Sequence, residues 1–171
     1  MANTALITGA SSGIGAEFAR IHAATGGDLV LVARREEALN ALKDELQSQH
    51  NIAVTIIPAD LNDETAPQQI FSTVQQLGID IDILINNAGF GGRGLFHERD
   101  WDRDRSMIQV NIVALSALTR LFVPVFVAKN AGRILNVSST ASLMPGPLQA
   151  VYYATKAFVT SFSNALAEEL S

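Results

Sequence analysis

Cysteine is absent from the 171-residue sequence, and histidine is scarce. The lack of cysteine excludes disulfide bonds, thiolate catalysis and cysteine-ligated zinc. The histidines, His22, His50 and His97, stand far apart, so we interpret them as packing or surface residues and predict no metal site. Long basic runs are also missing and the formal net charge is -5, which argues against nucleic acid as a partner.

Long apolar runs are missing as well. Residues 121–128 form an apolar stretch that is too short to span a membrane and contains Pro124. The first charged residue is Glu17, so the chain lacks the basic segment with which a secretory signal begins. We therefore expect a cytoplasmic protein that has no membrane partner.

The sequence does contain a regular alternation of strand and helix patterns. Hydrophobic residues make up 48% of the chain and charged residues 17%, which is typical of one globular domain, here over 1–171. Apolar runs predict strands at 5–7, 28–33, 52–57, 81–85 and 133–137. The helical patterns between them include a long helix at 101–127, broken near Pro124, and a last helix at 149–170. This order predicts an α/β fold, a doubly wound parallel sheet with helices on both faces.

A glycine-rich turn joins the first predicted strand to the first helix. Glycine lets the backbone approach a phosphate without a Cβ in the way, and the start of the helix offers free N–H groups. An ordinary turn explains a lone glycine pattern equally well, because such a pattern is weak by itself. If the turn binds a dinucleotide, the binding residues are Gly9, Ser11, Ser12, Gly13, Ile14 and Gly15.

Two arginines, Arg34 and Arg35, follow the second predicted strand. Dinucleotide-binding folds often carry a carboxylate there that binds the ribose 2′-hydroxyl. A guanidinium instead attracts a 2′-phosphate, to which it can donate two parallel hydrogen bonds. The sequence therefore favours NADP(H) over NAD(H). The alternative is that both arginines are solvated residues at the start of the next helix.

Polar residues and glycines also follow the third and fourth predicted strands. Asp60 and Leu61 come after the third strand, where Asp60 would either contact adenine or form a turn. Asn87, Ala88 and Gly89 come after the fourth strand, and asparagine and glycine also favour ordinary turns. Because ligands bind beyond the carboxyl ends of the strands in such folds, we assign these residues to the cofactor site.

The last predicted helix carries Tyr152 and Lys156, four residues apart and therefore on one face. Ser139 ends the fifth strand, and the loop after it can fold back toward this pair. A neighbouring ammonium lowers the pKa of tyrosine from its ordinary value of about 10, so that the hydroxyl can exchange a proton at neutral pH. The alternative is an amphipathic tyrosine beside a surface lysine.

Taken together, these motifs resemble the short-chain dehydrogenase/reductase family, in its short single-domain branch. The matching segments are, in chain order, the glycine turn, Asp60, residues 86–89, Asn111, Ser138-Ser139, and Tyr152 to Lys156. Each motif is weak alone, but their order and spacing are specific. Only Tyr152 has a lysine four residues later, so we interpret the adjacent Tyr153 as a bystander.

The resemblance implies a Rossmann-type fold and an NADP(H)-dependent oxidoreductase that acts on a carbonyl or an alcohol. Tyr152 would be the general acid in reduction and the base in oxidation. Lys156 would lower the pKa of Tyr152 and bind the nicotinamide ribose, so both residues also belong to the cofactor site. Ser139 would position the carbonyl, and Asn111 would hold a water molecule that links Lys156 to solvent.

The resemblance also implies a homodimer or homotetramer that pairs the two long helices. Apolar residues at helical spacing on the last helix would serve that interface or the core: Phe158, Phe162, Leu166 and Leu170. A second apolar group favours a hydrophobic small-molecule substrate: Phe90, Leu95, Leu143, Met144 and Leu148.

Members of the family continue past the last helix into two further strands, whereas this sequence stops at Ser171. We therefore expect a truncated chain that lacks those strands, leaves its fifth strand as an apolar edge and turns over little substrate by itself. The alternative function is a non-catalytic nucleotide-binding or regulatory protein on the same fold. The intact Ser139, Tyr152 and Lys156 argue against that alternative, and the missing strands argue for it.

Overall fold

A computed structural model describes residues 3–170, which are built around one sheet of five parallel strands. The strands are β1 (Ala5–Thr8), β2 (Leu29–Ala33), β3 (Val54–Pro58), β4 (Ile83–Asn86) and β5 (Arg133–Asn136). Their order across the sheet is β3-β2-β1-β4-β5, and every pairing is parallel. The strand predictions are confirmed, with small differences at the strand ends.

Helices connect successive strands and complete the described chain. They are α1 (Gly13–Ala24), α2 (Glu36–Gln49), α3 (Ala66–Gln76), α4 (Trp101–Ile108), α5 (Leu115–Lys129) and α6 (Ala150–Glu169). A π-helical segment, Gln109–Ala114, joins α4 to α5, and short 3₁₀ turns lie at Phe96–Glu98 and Thr140–Leu143.

Both faces of the sheet are covered because its central strands are apolar throughout. Every residue of β1 and β2 is buried, as expected for parallel strands with helices on each side. Ile7 belongs to a core that contains residues of α1 and α2, such as Ala19 and Leu39. Leu6 belongs to the opposite core, which contains residues of α3 and α5 such as Phe122. The predicted doubly wound α/β architecture is therefore confirmed.

The predicted break near Pro124 is wrong. The helix α5 continues through Pro124 to Lys129, and the irregular segment lies earlier, in the π-helical residues Gln109–Ala114. A proline inside a helix deprives the carbonyl four residues earlier, here that of Arg120, of its N–H donor. Arg120 and Pro124 both lie on the exposed side of α5, where water can bind that carbonyl.

Among the described residues, one helical stretch, Trp101–Lys129, is long and apolar enough to cross a membrane by length and composition alone, and an 18-residue part of it has a mean hydropathy of 1.9. Core helices of water-soluble proteins pass the same test, and Leu118, Phe122 and Phe126 of this stretch are buried in the core. The stretch is therefore weak support for a membrane span, and the absence of a membrane partner stays a prediction.

The strand β5 forms one edge of the sheet, and Leu135 on it is 41% exposed. An open groove of about 670 Å³ runs beside this edge, between the ends of α5 and α6. The four residues predicted for the core or an interface are half-buried or exposed along α6: Phe158, Phe162, Leu166 and Leu170. They are therefore outside the core, and the predicted pairing of long helices between copies stays a prediction.

Candidate active site

The turn between β1 and α1 is held against the loop after β4 by contacts that require glycine. Gly9 adopts a φ of +66°, which glycine accepts without strain. A Cβ at Gly15 would lie 2.5 Å from Asn87 Nδ2 and would collide with the Gly9 carbonyl. Asn87 Nδ2 donates hydrogen bonds to the carbonyls of Thr8 (3.0 Å) and Gly9 (3.3 Å). The side chain of Asn87 therefore supports the glycine turn.

Thr8 is a site residue that the sequence analysis missed. Its buried Oγ1 accepts hydrogen bonds from the backbone N–H groups of Asn87 (3.1 Å) and Ala88 (3.0 Å). These bonds tie the loop after β4 to the end of β1, directly before Gly9. The sequence feature that could have identified Thr8 is a hydroxyl residue at the carboxyl end of a buried strand, next to the glycine turn.

An open cleft of about 650 Å³ lies beyond the carboxyl ends of the strands, where this type of fold binds its ligands. Most of the predicted site residues line it: Gly9, Ser11, Ser12, Ile14, Arg34, Arg35, Asp60, Leu61, Asn87, Ala88, Gly89, Tyr152 and Lys156. The cleft lining does not include Gly13, Gly15, Asn111 or Ser139. It does include Ser106, Val110 and Ser138, which the sequence analysis did not assign.

The two arginines after β2 line the cleft differently. Arg35 turns back over the glycine turn, and its Nη2 donates to the Ser11 carbonyl at 3.4 Å and to Ser11 Oγ at 3.3 Å. Arg34 is exposed where it lines the cleft. Although Arg35 is the residue before α2, its side chain makes no capping bond to that helix. The guanidinium of Arg35 therefore lies beside the glycine turn, and binding of a phosphate by Arg34 or Arg35 stays a prediction.

Asp60 and Leu61 lie at the end of the cleft formed by β3. Asp60 Oδ1 accepts a hydrogen bond from the N–H of Asn62 at 3.0 Å, which is the turn contact that the sequence analysis gave as the alternative. The side chain of Asp60 is nevertheless exposed in the cleft, whereas Leu61 is buried. Contact between Asp60 and adenine stays a prediction.

Lys156 is a buried lysine, only 6% exposed, at the inner end of the cleft. Its Nζ donates a hydrogen bond to the Val137 carbonyl just after β5, at 2.8 Å. Ser138 Oγ in turn donates to the backbone carbonyl of Lys156 at 3.1 Å. These bonds fix α6 against the end of β5. Burial lowers the pKa of Lys156 below its ordinary value of 10.5.

This lowered pKa predicts a pH dependence of stability. Between the folded-state pKa of Lys156 and 10.5, the unfolded chain binds more protons than the folded chain, so stability rises with pH there. In Lys156→Met this contribution is absent. We therefore expect the melting temperature of the unmodified chain to rise relative to that of Lys156→Met as the pH is raised toward 10.5. Thermal unfolding at several pH values measures the difference, and a constant or falling difference would contradict the assignment.

Ser138 and Ser139, which follow β5, make different contacts. Ser139 Oγ accepts a hydrogen bond from the N–H of Ala141 at 3.1 Å and so caps the 3₁₀ turn Thr140–Leu143. Ser138 lines the cleft, and its Oγ lies 2.7 Å from Thr160 Oγ1. The assignment of Ser139 to the substrate carbonyl stays a prediction.

Asn111 is buried in the π-helical segment and joins the loop after β4 to α6. Its Nδ2 donates to the Phe90 carbonyl (2.9 Å) and to Thr155 Oγ1 (3.0 Å), and its Oδ1 accepts from the Phe90 N–H (3.1 Å). A Cβ at Gly89 would lie 3.1 Å from Asn111 Oδ1 and 3.5 Å from Lys156 Nζ. The amide oxygen and the ammonium therefore both lie beside Gly89.

The two adjacent tyrosines face different surroundings. Tyr152 is half-buried in the cleft, and Gly91 packs on its ring, where a Cβ would lie 3.2 Å from Cδ2. Tyr153 packs against Gly146 in the loop before α6. The two rings meet edge to face, with centroids 6.1 Å apart. The structure therefore brings Tyr152 and Lys156 into one cleft and leaves Tyr153 out of its lining.

Comparison with known proteins agrees with this geometry. The sequence profile described as "short chain dehydrogenase" matches residues 3–171. The chain belongs to the short-chain dehydrogenase family. A short-chain dehydrogenase from Sphingobium yanoikuyae, solved with NADPH, shares 39% identity and a TM-score of 0.93, over 98% of this chain and 65% of that one. The bulky-bulky ketone specific alcohol dehydrogenase from Comamonas testosteroni shares 35% identity and a TM-score of 0.93, over 98% and 67%.

Curated relatives are longer than this short-chain dehydrogenase chain. An NADP-dependent 3-hydroxy acid dehydrogenase from Schizosaccharomyces pombe is 36% identical over 97% of the chain and 65% of its own length. The chain spans about half the length of other curated relatives that it matches. The activity, substrates and partners of the whole protein are therefore matters for proposal.

Proposed function

We propose that this chain forms the cofactor site and the proton-transfer site of an NADP(H)-dependent oxidoreductase that interconverts a carbonyl compound and its alcohol. One observation carries the proposal: the glycine turn, Arg35 and the Tyr152–Lys156 pair line the same cleft. A nucleotide bound at the turn and a carbonyl group held at Tyr152 would therefore share one cavity. Relatives that are named as dehydrogenases and reductases give independent support.

The residues at the start of α1 fit the pyrophosphate of such a cofactor. Ser12 precedes the helix without a side-chain capping bond, and the first turn carries no acidic residue. The backbone N–H groups of this first turn and the positive end of the helix dipole therefore favour an anion. Arg35 lies beside Ser11 at the same end of the cleft and suits a 2′-phosphate, which supports NADP(H) over NAD(H).

When bound, NADP(H) supplies the hydride or accepts it. The side chains handle the proton: in reduction the Tyr152 hydroxyl donates its proton to the carbonyl oxygen, and in oxidation it takes the proton back. A charged Lys156 nearby stabilises the resulting phenolate. Ser139 Oγ accepts a bond from Ala141 and donates none within the described residues, so its proton would be available to bind the carbonyl oxygen. Asn111 Oδ1 retains a lone pair for a water molecule between it and Lys156.

We propose a hydrophobic ketone or alcohol as the substrate. Apolar side chains that would usually be buried are exposed on the loops that follow β4 and β5, and Leu143 reaches 75% exposure. The others are Phe90, Leu95, Met144 and Leu148. An apolar surface beside a polar reaction centre suits a substrate with bulky apolar groups on both sides of its carbonyl. The ketone specificity of the Comamonas relative points in the same direction.

A panel of bulky ketones tests the proposal against the alternative of a non-catalytic nucleotide-binding protein. In the natural protein that contains this chain, we expect at least one ketone to accelerate NADPH oxidation, followed by the fall in nicotinamide absorbance. A regulatory protein would bind NADPH with no ketone-dependent oxidation. Tight NADPH binding without turnover on any member of the panel would therefore favour the alternative.

A further inference from the structure

A buried ion pair, Arg99–Asp104, packs against the loop that follows β4. Arg99 Nε and Nη2 donate hydrogen bonds to Asp104 Oδ1 at 2.9 and 2.5 Å. The side chains of Arg99 and Asp104 are only 14% and 2% exposed. Replacing such a pair by apolar residues is often neutral or stabilising, so its contribution to stability does not explain why charge is buried here.

The Arg99 side chain supports two glycines of that loop. A Cβ at Gly92 would collide with the Arg99 guanidinium, and a Cβ at Gly94 would lie 3.1 Å from Arg99 Cγ. Gly94 also has a φ of +153°, which strains any other residue. The loop therefore packs on Arg99 so closely that side chains are excluded, and Asp104 fixes the guanidinium from the other side.

The same loop reaches the reaction centre at two points. Gly91 packs on the ring of Tyr152, and the Gly94 N–H donates to the Leu148 carbonyl at 2.8 Å. Leu148 holds a φ of +66°, which is unfavourable for leucine, two residues before α6 begins at Ala150. Strain of this kind persists only where the surroundings fix the backbone. The Gly94 bond is one such restraint, and it depends on the loop that Arg99 supports.

We propose that Arg99, held by Asp104, is a positioning residue that fixes the loop of residues 90–95 as the wall of the substrate site beside Tyr152. This inference rests on the proposed function. Arg99 acts through Gly91 on the Tyr152 ring and through Gly94 on Leu148, whose side chain is part of the proposed apolar substrate surface. The side chains of Arg99 and Asp104 form their hydrogen bonds with each other and not with the glycine turn or Arg35, so cofactor affinity should not depend on this pair.

The test compares Arg99→Ala with Arg105→Ala, in the natural protein that contains this chain. Arg105 is the matched control because it lies in α4, close in sequence to Arg99, and its side chain is 64% exposed. Misplacement by about 1 Å can cost about 100-fold in rate, so we expect kcat/KM for a bulky ketone to fall by about 10- to 100-fold in Arg99→Ala alone. The Kd for NADPH should stay within about twofold in both variants, because no cofactor contact is removed. Arg99→Lys, which keeps the charge beside Asp104, should recover part of the loss.

Gly92→Ala keeps the inference falsifiable if Arg99→Ala folds poorly. The added methyl group should displace the guanidinium and reduce kcat/KM in the unmodified protein, and it should add little in an Arg99→Ala background. Equal kcat/KM values for Arg99→Ala and Arg105→Ala would overturn the inference. A fall in kcat/KM matched by an equal loss of NADPH affinity would also overturn it, because that pattern indicates general destabilisation.

Hydrogen exchange separates this inference from the proposed function. In Arg99→Ala, the amides of residues 90–95 should exchange faster than in the unmodified protein, while those of the glycine turn should not change. If no ketone is reduced by the unmodified protein, the proposed function fails, and the exchange rates alone decide whether Arg99 fixes the loop. Unchanged exchange in residues 90–95 would overturn the positioning role whether or not the protein is active.

Discussion

Replacing Tyr152 by phenylalanine should slow ketone reduction by about 10²- to 10⁴-fold, because a positioned general acid usually contributes that much. The substitution removes only the hydroxyl group. The ring remains to pack against Gly91, so the cleft should keep its shape. We therefore expect NADPH binding and the melting temperature to change little. Steady-state rates with NADPH and a ketone that the unmodified protein reduces measure the loss of activity. A fluorescence titration measures NADPH binding.

Tyr153→Phe is the control for this substitution. It removes the same atom from the next residue, whose ring packs on Gly146 rather than lining the cleft. Its rate should match that of the unmodified protein. Loss of activity in Tyr153→Phe with normal rates in Tyr152→Phe would show that the assignment is reversed. Normal rates in both variants would show that the proton comes from another group.

Replacing Arg35 by alanine should weaken NADPH binding by roughly 10- to 150-fold, because a hydrogen bond to a charged group is worth roughly 1.5–3 kcal/mol. NADH lacks the 2′-phosphate, so its affinity should not change. Arg34→Ala tests the second arginine that lines the cleft, and the double substitution should remove the preference for NADPH. Titrations that follow nicotinamide fluorescence supply all these values.

The unmodified protein is the reference for this prediction. It should bind NADPH more tightly than NADH, because the positively charged arginines lie at the end of the cleft that contains Ser11. Equal affinities for the two nucleotides would contradict the assignment of a 2′-phosphate site. A uniform loss of affinity for both nucleotides in Arg35→Ala would instead assign Arg35 to support of the glycine turn.

The strands were predictable because parallel strands buried on both faces are continuous apolar runs. The runs that became β1 and β2 are buried in full, so composition alone indicated them. Pro124 misled the prediction because local propensity ignores packing: α5 is held by buried residues such as Leu118 and Phe122 and continues past the proline. The π-helical segment Gln109–Ala114 left no signal in the sequence pattern.

The candidate site was predictable where spacing along one element decides it. Tyr152 and Lys156 share a helix face, so the choice between the two tyrosines followed from sequence. Contacts between distant segments were not predictable in this way. The bonds from Asn87 to the glycine turn, from Arg35 to Ser11 and from Gly94 to Leu148 depend on how separate loops meet.

Isotope transfer from NADPH deuterated at nicotinamide C4 tests the central claim most directly. The natural protein that contains this chain would be incubated with the labelled cofactor and a bulky ketone, and the alcohol would be examined by mass spectrometry and NMR. Direct hydride transfer predicts deuterium on the carbinol carbon when the label occupies one of the two C4 positions. The hydroxyl proton of the alcohol, which Tyr152 supplies in our account, should come from solvent and carry no label. Alcohol that carries no deuterium with either C4 label, or deuterium that appears only in the solvent, would contradict the account.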